Sequence, residues 1–418
     1  LRLFKVGRYE EAIGYYGREA AANPKSLVAW AGIGITLTKL GKFREALQSL
    51  DQSIRLNSTN PDVWHHKGIA LARLERQNEA VECYNEALKL NPVLISAWID
   101  KGLAFCDLGK FDEALVCFEQ TIRLDSGNAD AWYNRGLALH KLGSFMQEVE
   151  CYNQVIKIDS GRADAWNHKG LALCALGDIE EAIRCYDKAT KIDRKDAEAW
   201  YDKGSALSRL KKYGEAVDCY EEAARLSPQF ISAWDGRGLV MYSLGRFQEA
   251  VESYDESLRL SPKHEWAWNS RGVALYNLGR YDEAVRCFEQ AIGICPENSD
   301  AWYNKGLTLH ELNRFEEELE CYKQTIKIDP GHVDAWNNEG LALHGLGMFE
   351  AAIESYKRVI ELKPTHSSAW FRLGEALTRT GRLKEAIECY DQAIKFDQSF
   401  TKAREHRRIA EEESARRH

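Results

Sequence analysis

The sequence predicts an all-α solenoid of stacked antiparallel helix pairs, and three observations carry that expectation. The first is a period. Eleven of the twelve tryptophans stand at 30, 64, 98, 132, 166, 200, 234, 268, 302, 336 and 370, every step 34 residues, and only Trp266 lies off the register. The second is that apolar residues recur at three- and four-residue intervals in two segments of each 34-residue unit, the pattern of two amphipathic helices. The third is a repeated phrase: AWYNRGLALH at 131–140 returns as AWYNKGLTLH at 301–310, five periods later. One such hairpin cannot bury its apolar face, so its neighbours must stack on it.

With each tryptophan set as position 4, the unit explains itself in order. Helix A is expected over positions 3 to 14. Position 8 is glycine in all eleven units, from Gly34 and Gly68 to Gly374, and position 11 is a large apolar residue such as Leu37, Phe105 or Met241. Position 15 is mostly glycine (Gly41, Gly109, Gly143, Gly245), where a left-handed residue ends helix A, and Asn313 tolerates the same geometry. Helix B is expected over positions 17 to 30, with Ala usual at position 20 and Tyr, Phe or Leu at 24. Pro at position 32 (Pro92, Pro228, Pro262, Pro296, Pro330, Pro364) or Ser then stops it. Small residues at positions 8 and 20 let the paired helices approach closely, with axes about 8–10 Å apart.

Eleven complete units therefore occupy residues 27–400. Residues 1–26 match a unit only from position 9 onward, with Gly7, Tyr9, Ala12, Tyr16 and Pro24 in register, and the chain opens on Leu1 rather than Met. A truncated first unit is expected, with a helix upstream of it. At the other end, residues 401–418 still read as a helix, but Arg404 and Arg408 take the Trp and Gly places. The segment reads as a polar cap that stops further stacking.

Residues 132–190 and 302–360 agree at roughly half of their positions, and CFEQ at 117–120 recurs at 287–290, which points to duplication of a five-unit block. The two copies share an anomaly: position 20 is Glu148 in one and Glu318 in the other. A carboxylate at a close helix contact needs a partner, and Arg135 and Lys305 at position 7 of the same units are the expected ones. Position 7 itself is a cation in eight successive units, Lys67, Lys101, Arg135, Lys169, Lys203, Arg237, Arg271 and Lys305. Their stems are expected to lie over the tryptophan one turn earlier, with the charged heads reaching solvent or helix-B carboxylates.

Composition narrows the function. The net charge of −8 in 418 residues argues against nucleic acid and anionic membrane as partners. No apolar run approaches the length of a membrane span. Eight of eleven cysteines fall at position 23, where neighbouring helices stand about 10 Å apart, beyond the reach of a disulfide, and no CxxC occurs. They read as semi-buried thiols of a cytoplasmic protein. No nucleophile elbow, phosphate loop or zinc motif is present, so no enzyme, cofactor or metal is expected. His310 and His344, at position 12 of adjacent units, make only two ligands for a metal.

The period and the Trp-Leu-Gly-Tyr…Ala-Phe…Pro columns resemble the tetratricopeptide repeat, over nearly the whole chain. That resemblance implies a right-handed superhelix whose A helices line a concave groove, with positions 2, 5, 6, 9, 12 and 13 pointing in. Carried onto this sequence, the candidate groove residues are Tyr133, Asn134, His140, Asn167, Tyr201, Asp202, Tyr303, Asn304, His310, Asn337, Asn338 and His344. Asn donates and accepts at once, so a spaced series of them suits a peptide backbone of any sequence, and Tyr adds contact area at little entropic cost. Family members that grip the acidic C-terminal tail of chaperones carry Lys at position 5 and Asn at position 9. Neither occurs here, and position 9 is apolar (Ile35, Ile69, Leu103, Leu137, Leu171), so that ligand is disfavoured. The expected function is a non-catalytic protein-interaction scaffold binding an extended peptide or partner segment. The alternative is a regulatory or substrate-recognition module cut from a larger multidomain protein or enzyme.

Overall fold

The computed structural model describes residues 8–416. The expected remnant of a first helix and Gly7 lie outside the described residues. Among the described residues there are 24 α-helices and no strand. They fall into two compact bodies, residues 1–210 and 211–418. Helix A occupies positions 1 to 13 of a unit (Leu27–Lys39, Ala129–Lys141, Ser299–Glu311), and helix B positions 17 to 30 (Phe43–Leu56, Phe145–Ile158, Phe315–Ile328). Within each body every helix packs on its chain neighbour, and successive A helices also touch along one face.

The reason for the glycine column is a ring. Position 8 lies against the position-24 side chain of its own unit. A Cβ on Gly102 would stand 2.6 Å from the Phe118 ring, one on Gly136 2.9 Å from Tyr152, and one on Gly306 2.6 Å from Tyr322. Any larger residue would push the two helices apart. The rings themselves, Tyr84, Phe118, Tyr152, Tyr186, Tyr254, Phe288, Tyr322, Tyr356 and Tyr390, are 0–1% exposed and form the centre of the core. Alanines at positions 3 and 20 (Ala131, Ala114) close the remaining gaps.

The tryptophans tie each unit to the turn before it. In all eleven units Trp Nε1 donates to the carbonyl of position 32, from Trp30 to Pro24 (2.9 Å) through Trp132 to Ser126 (3.1 Å) to Trp370 on Pro364 (2.8 Å). The last helix, Thr401–Arg416, keeps this register with a different side chain: Arg404 donates to the carbonyl of Gln398, and Ala403 and Ala410 are buried. Its N-terminal part thus imitates a helix A while most of its surface stays polar.

Six of the eight position-7 cations lie over the tryptophans, among them Lys101 at 5.0 Å from the Trp98 ring centre and Lys203 at 5.3 Å from Trp200. Charged heads in this column reach position 25 of the preceding helix B: Lys67 to Asp51 (2.7 Å), Lys203 to Asp187 (2.8 Å), Arg271 to Asp255 (2.6 Å), Lys305 to Glu289 (2.9 Å). Arg135 and Arg271 also donate to the position-23 thiols Cys151 (3.1 Å) and Cys287 (2.9 Å). All eleven cysteines are free thiols. Burial pushes those of Cys83, Cys117 and Cys185 up to about 11, which leaves them as packing groups rather than nucleophiles.

This corrects the expected partners of Glu148 and Glu318. Arg135 pairs with Glu119 (3.3 Å), and Lys305 with Glu289. The two buried glutamates, 1% and 2% exposed, instead meet His140 Nδ1 (3.1 Å) and His310 Nδ1 (3.1 Å) from position 12. The physical reason is direction. Position 7 faces the preceding unit, whereas position 12 lies on the last turn of helix A, across the turn from position 20. The histidine side chains are themselves 42% and 59% exposed, so solvent reaches one half of each pair.

All position-15 residues from Gly41 onward have left-handed φ, and three carry a side chain: Glu75 (61°), Lys211 (59°) and Asn313 (59°). Around them the helix end is the same, with Glu75 N–H on Ala72 O and Arg76 N–H on Leu71 O, both 3.0 Å. A Cβ in this conformation costs roughly 1–2 kcal/mol, partly offset by the greater freedom glycine has when unfolded. Glu75→Gly should therefore raise the denaturant midpoint by the equivalent of about 0.5–1 kcal/mol, and Gly109→Ala should lower it by about 1 kcal/mol. A second prediction concerns the buried carboxylate. Burial holds the Glu148 carboxyl above its ordinary value of 4.5, so the folded chain binds its proton more tightly than the unfolded chain does. That contribution is complete below the ordinary value and is lost as pH rises through the raised one. Glu148→Ala, the residue found elsewhere at position 20, should stabilise by about 1 kcal/mol at pH 7 and flatten the pH profile. His140→Ala, which strands the carboxylate, should destabilise by about 1–2 kcal/mol. Denaturant titrations at pH 5 and 7 read both.

Candidate functional site

The A helices present the twelve candidate residues in two sets of six, one in each body. In the first body, Asn167 at position 5 is buried and donates to Asp202 Oδ2 at position 6 of the next unit (3.0 Å). In the second, Asn304 donates to Asn269 (3.2 Å), Asn338 donates to Tyr303 Oη (3.2 Å), and Asn337 donates to Asn338 (3.2 Å). His65 and Asp100 make the same diagonal link at 2.7 Å. The polar column is thus a ladder bonded to itself, position 5 of one unit to position 6 of the next. Reading the columns straight down misses this. The signal was present diagonally, in complementary residue types 35 apart.

Each primary amide has two donors and two acceptor lone pairs, so one bond across the repeat leaves capacity for a ligand. Asn134 differs from the others. Its diagonal neighbour at position 5 is Ile99, and no hydrogen bond engages its side chain among the described residues. It lines an open pocket of about 450 Å³ with Leu103, Cys106, Phe111, Leu137 and Leu171. These are positions 6, 9, 12 and 17 of three successive units, and the pocket is mostly apolar. Sequence columns do not reveal it, because it depends on a small residue at position 12 of one unit.

Electrostatics grade the remaining candidates. Burial raises the Asp202 carboxyl to about 6, against the hydrogen bond from Asn167. Tyr133 is half-buried beneath Arg162, whose guanidinium lies 4.2 Å from the ring centre and also bonds Asp130 (2.8 Å) and Asp164 (3.1 Å). Burial, ahead of the Asp164 charge, pushes its phenol up to about 12. Tyr303 stacks at 4.6 Å on His332, which also caps its helix by accepting from Ala335 N–H. Tyr201 stands half-buried at position 5 of its helix. His140 and His310 are held by the buried glutamates. His344 packs edge-on to Phe349 at 5.1 Å, its Nδ1 buried without a hydrogen bond, and burial lowers its basicity. No group of three or more His, Cys, Asp or Glu suited to a metal ion occurs among the described residues. No helix there is long and apolar enough to cross a membrane.

Comparison with known proteins agrees with this architecture. A family model described as TPR repeat matches residues 102–143, 170–211 and 238–279. Three models described as tetratricopeptide repeat match 61–92, 197–230 and 265–298; 319–366 and 337–399; and 27–60, 129–161 and 299–332. No curated protein sequence matches. Among solved structures, the C-terminal part of a TPR repeat-containing protein from Cytophaga hutchinsonii is 19% identical and covers 56% of this chain and 96% of its own, with a TM-score of 0.50. YrrB, described as a TPR protein with an unusual peptide-binding site, is 27% identical and covers 48% of this chain and 99% of its own, with a TM-score of 0.42. MamA is 26% identical and covers 41% and 93%, with a TM-score of 0.39. Matched unit by unit between residues 27 and 399, and folded throughout as the helix pairs those units predict, the chain belongs to the tetratricopeptide repeat family.

Proposed function

We propose that this protein-interaction scaffold binds an extended segment of a partner protein along the face formed by its A helices. The observation that carries the reading is the amide-rich ladder at positions 5 and 6. Asn134, Asn269, Asn304, Asn337 and Asn338 keep donor and acceptor capacity on one face, where a peptide backbone needs both. Tyr133, Tyr201 and Tyr303 stand beside them as stiff, amphipathic contact area. Apolar position 9, with Leu103, Leu239 and Leu341 exposed, supplies the non-polar half of the contact. The duplicated blocks repeat this set in each body, which suits one long partner or a partner with two similar segments.

A random ten-residue peptide library displayed on phage, selected on the immobilised chain, tests this reading. A ten-residue peptide can meet Asn134 in the first body or Asn304 and Asn338 in the second, so selected peptides should lose roughly five- to thirtyfold in affinity against a variant carrying Asn134→Ala, Asn304→Ala and Asn338→Ala, at about 1 kcal/mol for each hydrogen bond removed. The variant's helicity is checked by circular dichroism. Undiminished binding by a normally helical variant would place recognition away from the A helices and end the proposal.

A further inference from the structure

Resting on that groove reading, the first body differs from the second in one respect that selects a ligand. The five-unit duplication pairs residue n with residue n + 170, so each block controls for the other. Cys106 corresponds to Tyr276, Ile99 to Asn269 and Lys141 to Glu311. In the second block Tyr276 packs at 5.5 Å on Tyr281, the counterpart of Phe111, and reaches Glu311 with its hydroxyl (3.5 Å). Asn304, the counterpart of Asn134, is engaged by Asn269. In the first block a thiol replaces the tyrosine, an isoleucine leaves Asn134 without a cross-repeat bond, and a cation replaces the glutamate. All three changes converge on the pocket of about 450 Å³.

Each change has a chemical meaning. Replacing a phenol by a thiol removes most of an aromatic ring from a wall made by Leu103, Phe111, Leu137 and Leu171. The space left takes one large apolar side chain. An amide at its edge, free of other bonds, suits the backbone of the residue that carries that side chain. Position 13 borders the pocket through Asp107 and Lys141, and over the complete units of the body it runs Lys39, Arg73, Asp107, Lys141, Ala175 and Arg209, four cations to one acid. Lys39, Arg73, Lys141 and Arg209 are exposed there, and among the described residues no carboxylate forms an ion pair with them. The opposite edge, at position 2, is acidic, with Asp62, Asp130, Asp164 and Glu198, of which Asp130 and Asp164 share the single cation Arg162. Cations without a carboxylate partner therefore lie on the pocket side of the groove, where they outnumber Asp107, and acids predominate on the other.

We propose that the pocket bounded by Cys106, Asn134 and Leu171 is a specificity pocket for an aromatic or branched apolar side chain of an acidic partner segment, its carboxylates lying along the position-13 cations. The second body, with the tyrosine and the glutamate, does not read that anchor.

The test substitutes from the second block's own sequence, so each side chain introduced already occurs at that place in a folded repeat. The same phage-displayed ten-residue library is selected on the full chain, and the enriched peptides are measured by fluorescence anisotropy. The expected result is a recurring aromatic or branched apolar residue beside Asp or Glu. Affinity for these peptides should fall at least tenfold for Cys106→Tyr and roughly fivefold for Lys141→Glu, the latter loss shrinking as salt is raised. Tyr276→Cys should leave it unchanged. Peptides that bind without an apolar anchor, or that ignore Cys106→Tyr while still losing affinity to the triple asparagine variant, would overturn the pocket and leave the groove reading standing. Peptides indifferent to both variants would overturn both. A melting temperature for Cys106→Tyr within a few degrees of wild type separates a filled pocket from a misfolded one.

Discussion

The closeness of helix A to helix B at position 8 is the constraint on which the rest of this molecule depends. With no Cβ there, an aromatic ring sixteen residues later lies flat against the backbone, and the ring is fully buried by that contact. Had a side chain intervened, the ring would have had to turn outward and the pair of helices would have separated. Sixteen residues is thus a fixed distance along the chain, and so is the connection through the turn to the next tryptophan. The Trp Nε1 bond to the position-32 carbonyl ties the next helix A to the turn just completed. Any insertion would break one of these two registrations, which accounts physically for a period of 34 without exception over eleven units.

The charged groups follow from that geometry. Position 7 looks back at position 25 of the preceding helix B and forward at position 23 of its own, so its charge is set by two neighbours at once. Where position 25 is acidic, position 7 is Lys or Arg. At residue 339 both signs are reversed: Glu339 sits where the cation was, Lys323 replaces the acid, and Ser355 donates to the carboxylate at 2.8 Å. The last helix keeps the same pairing, Arg407 to Asp391 at 2.5 Å. A row of eight cations looks like a binding stripe in the sequence, but six of the eight are ion-paired to the preceding repeat, and Lys101 and Lys169, which face Asn85 and Asn153, lie over tryptophan. Exposed pairs of this kind contribute little each, about 0–1 kcal/mol. Their consistency matters more, because a repeat shifted by one unit would place Glu339 beside an acid.

Most of the fold was legible in the sequence because its causes are local and periodic. The limits of helix B, the left-handed residue after helix A, the stem-over-tryptophan packing and the unpaired thiols all follow from columns read at period 34, whereas helix A begins at position 1 rather than at the expected position 3. What escaped is diagonal or directional. The links from position 5 to position 6 run between units, 35 residues apart, and no single column holds them. The partners of Glu148 and Glu318 depend on which way a side chain leaves the helix, so the nearer cation in the pattern was the wrong one and the histidine eight residues back was right. The helix caps at His332 and His366, which accept from Ala335 and Ala369, use Nδ1 where Ser or Asn usually serves. The pocket needed a still finer reading, because it exists through what Cys106 does not fill.

Charge and shape therefore carry different weight as signs of a partner in an array like this one. A cation whose carboxylate is built into the adjacent repeat belongs to the scaffold, however many times it recurs, because a ligand would have to displace that carboxylate first. A cation at position 13 has no such competitor and costs a partner only its own desolvation. The same holds for the amides: Asn304 is held in place by Asn269 and offers what remains of its valence in a fixed direction, while Asn134 offers all of its own in any direction a ligand requires. On the proposed reading, recognition by the scaffold rests on the few places where the repeat's internal bonding is left incomplete. Duplication followed by divergence at such places would let two blocks that still share about half of their residues read different segments.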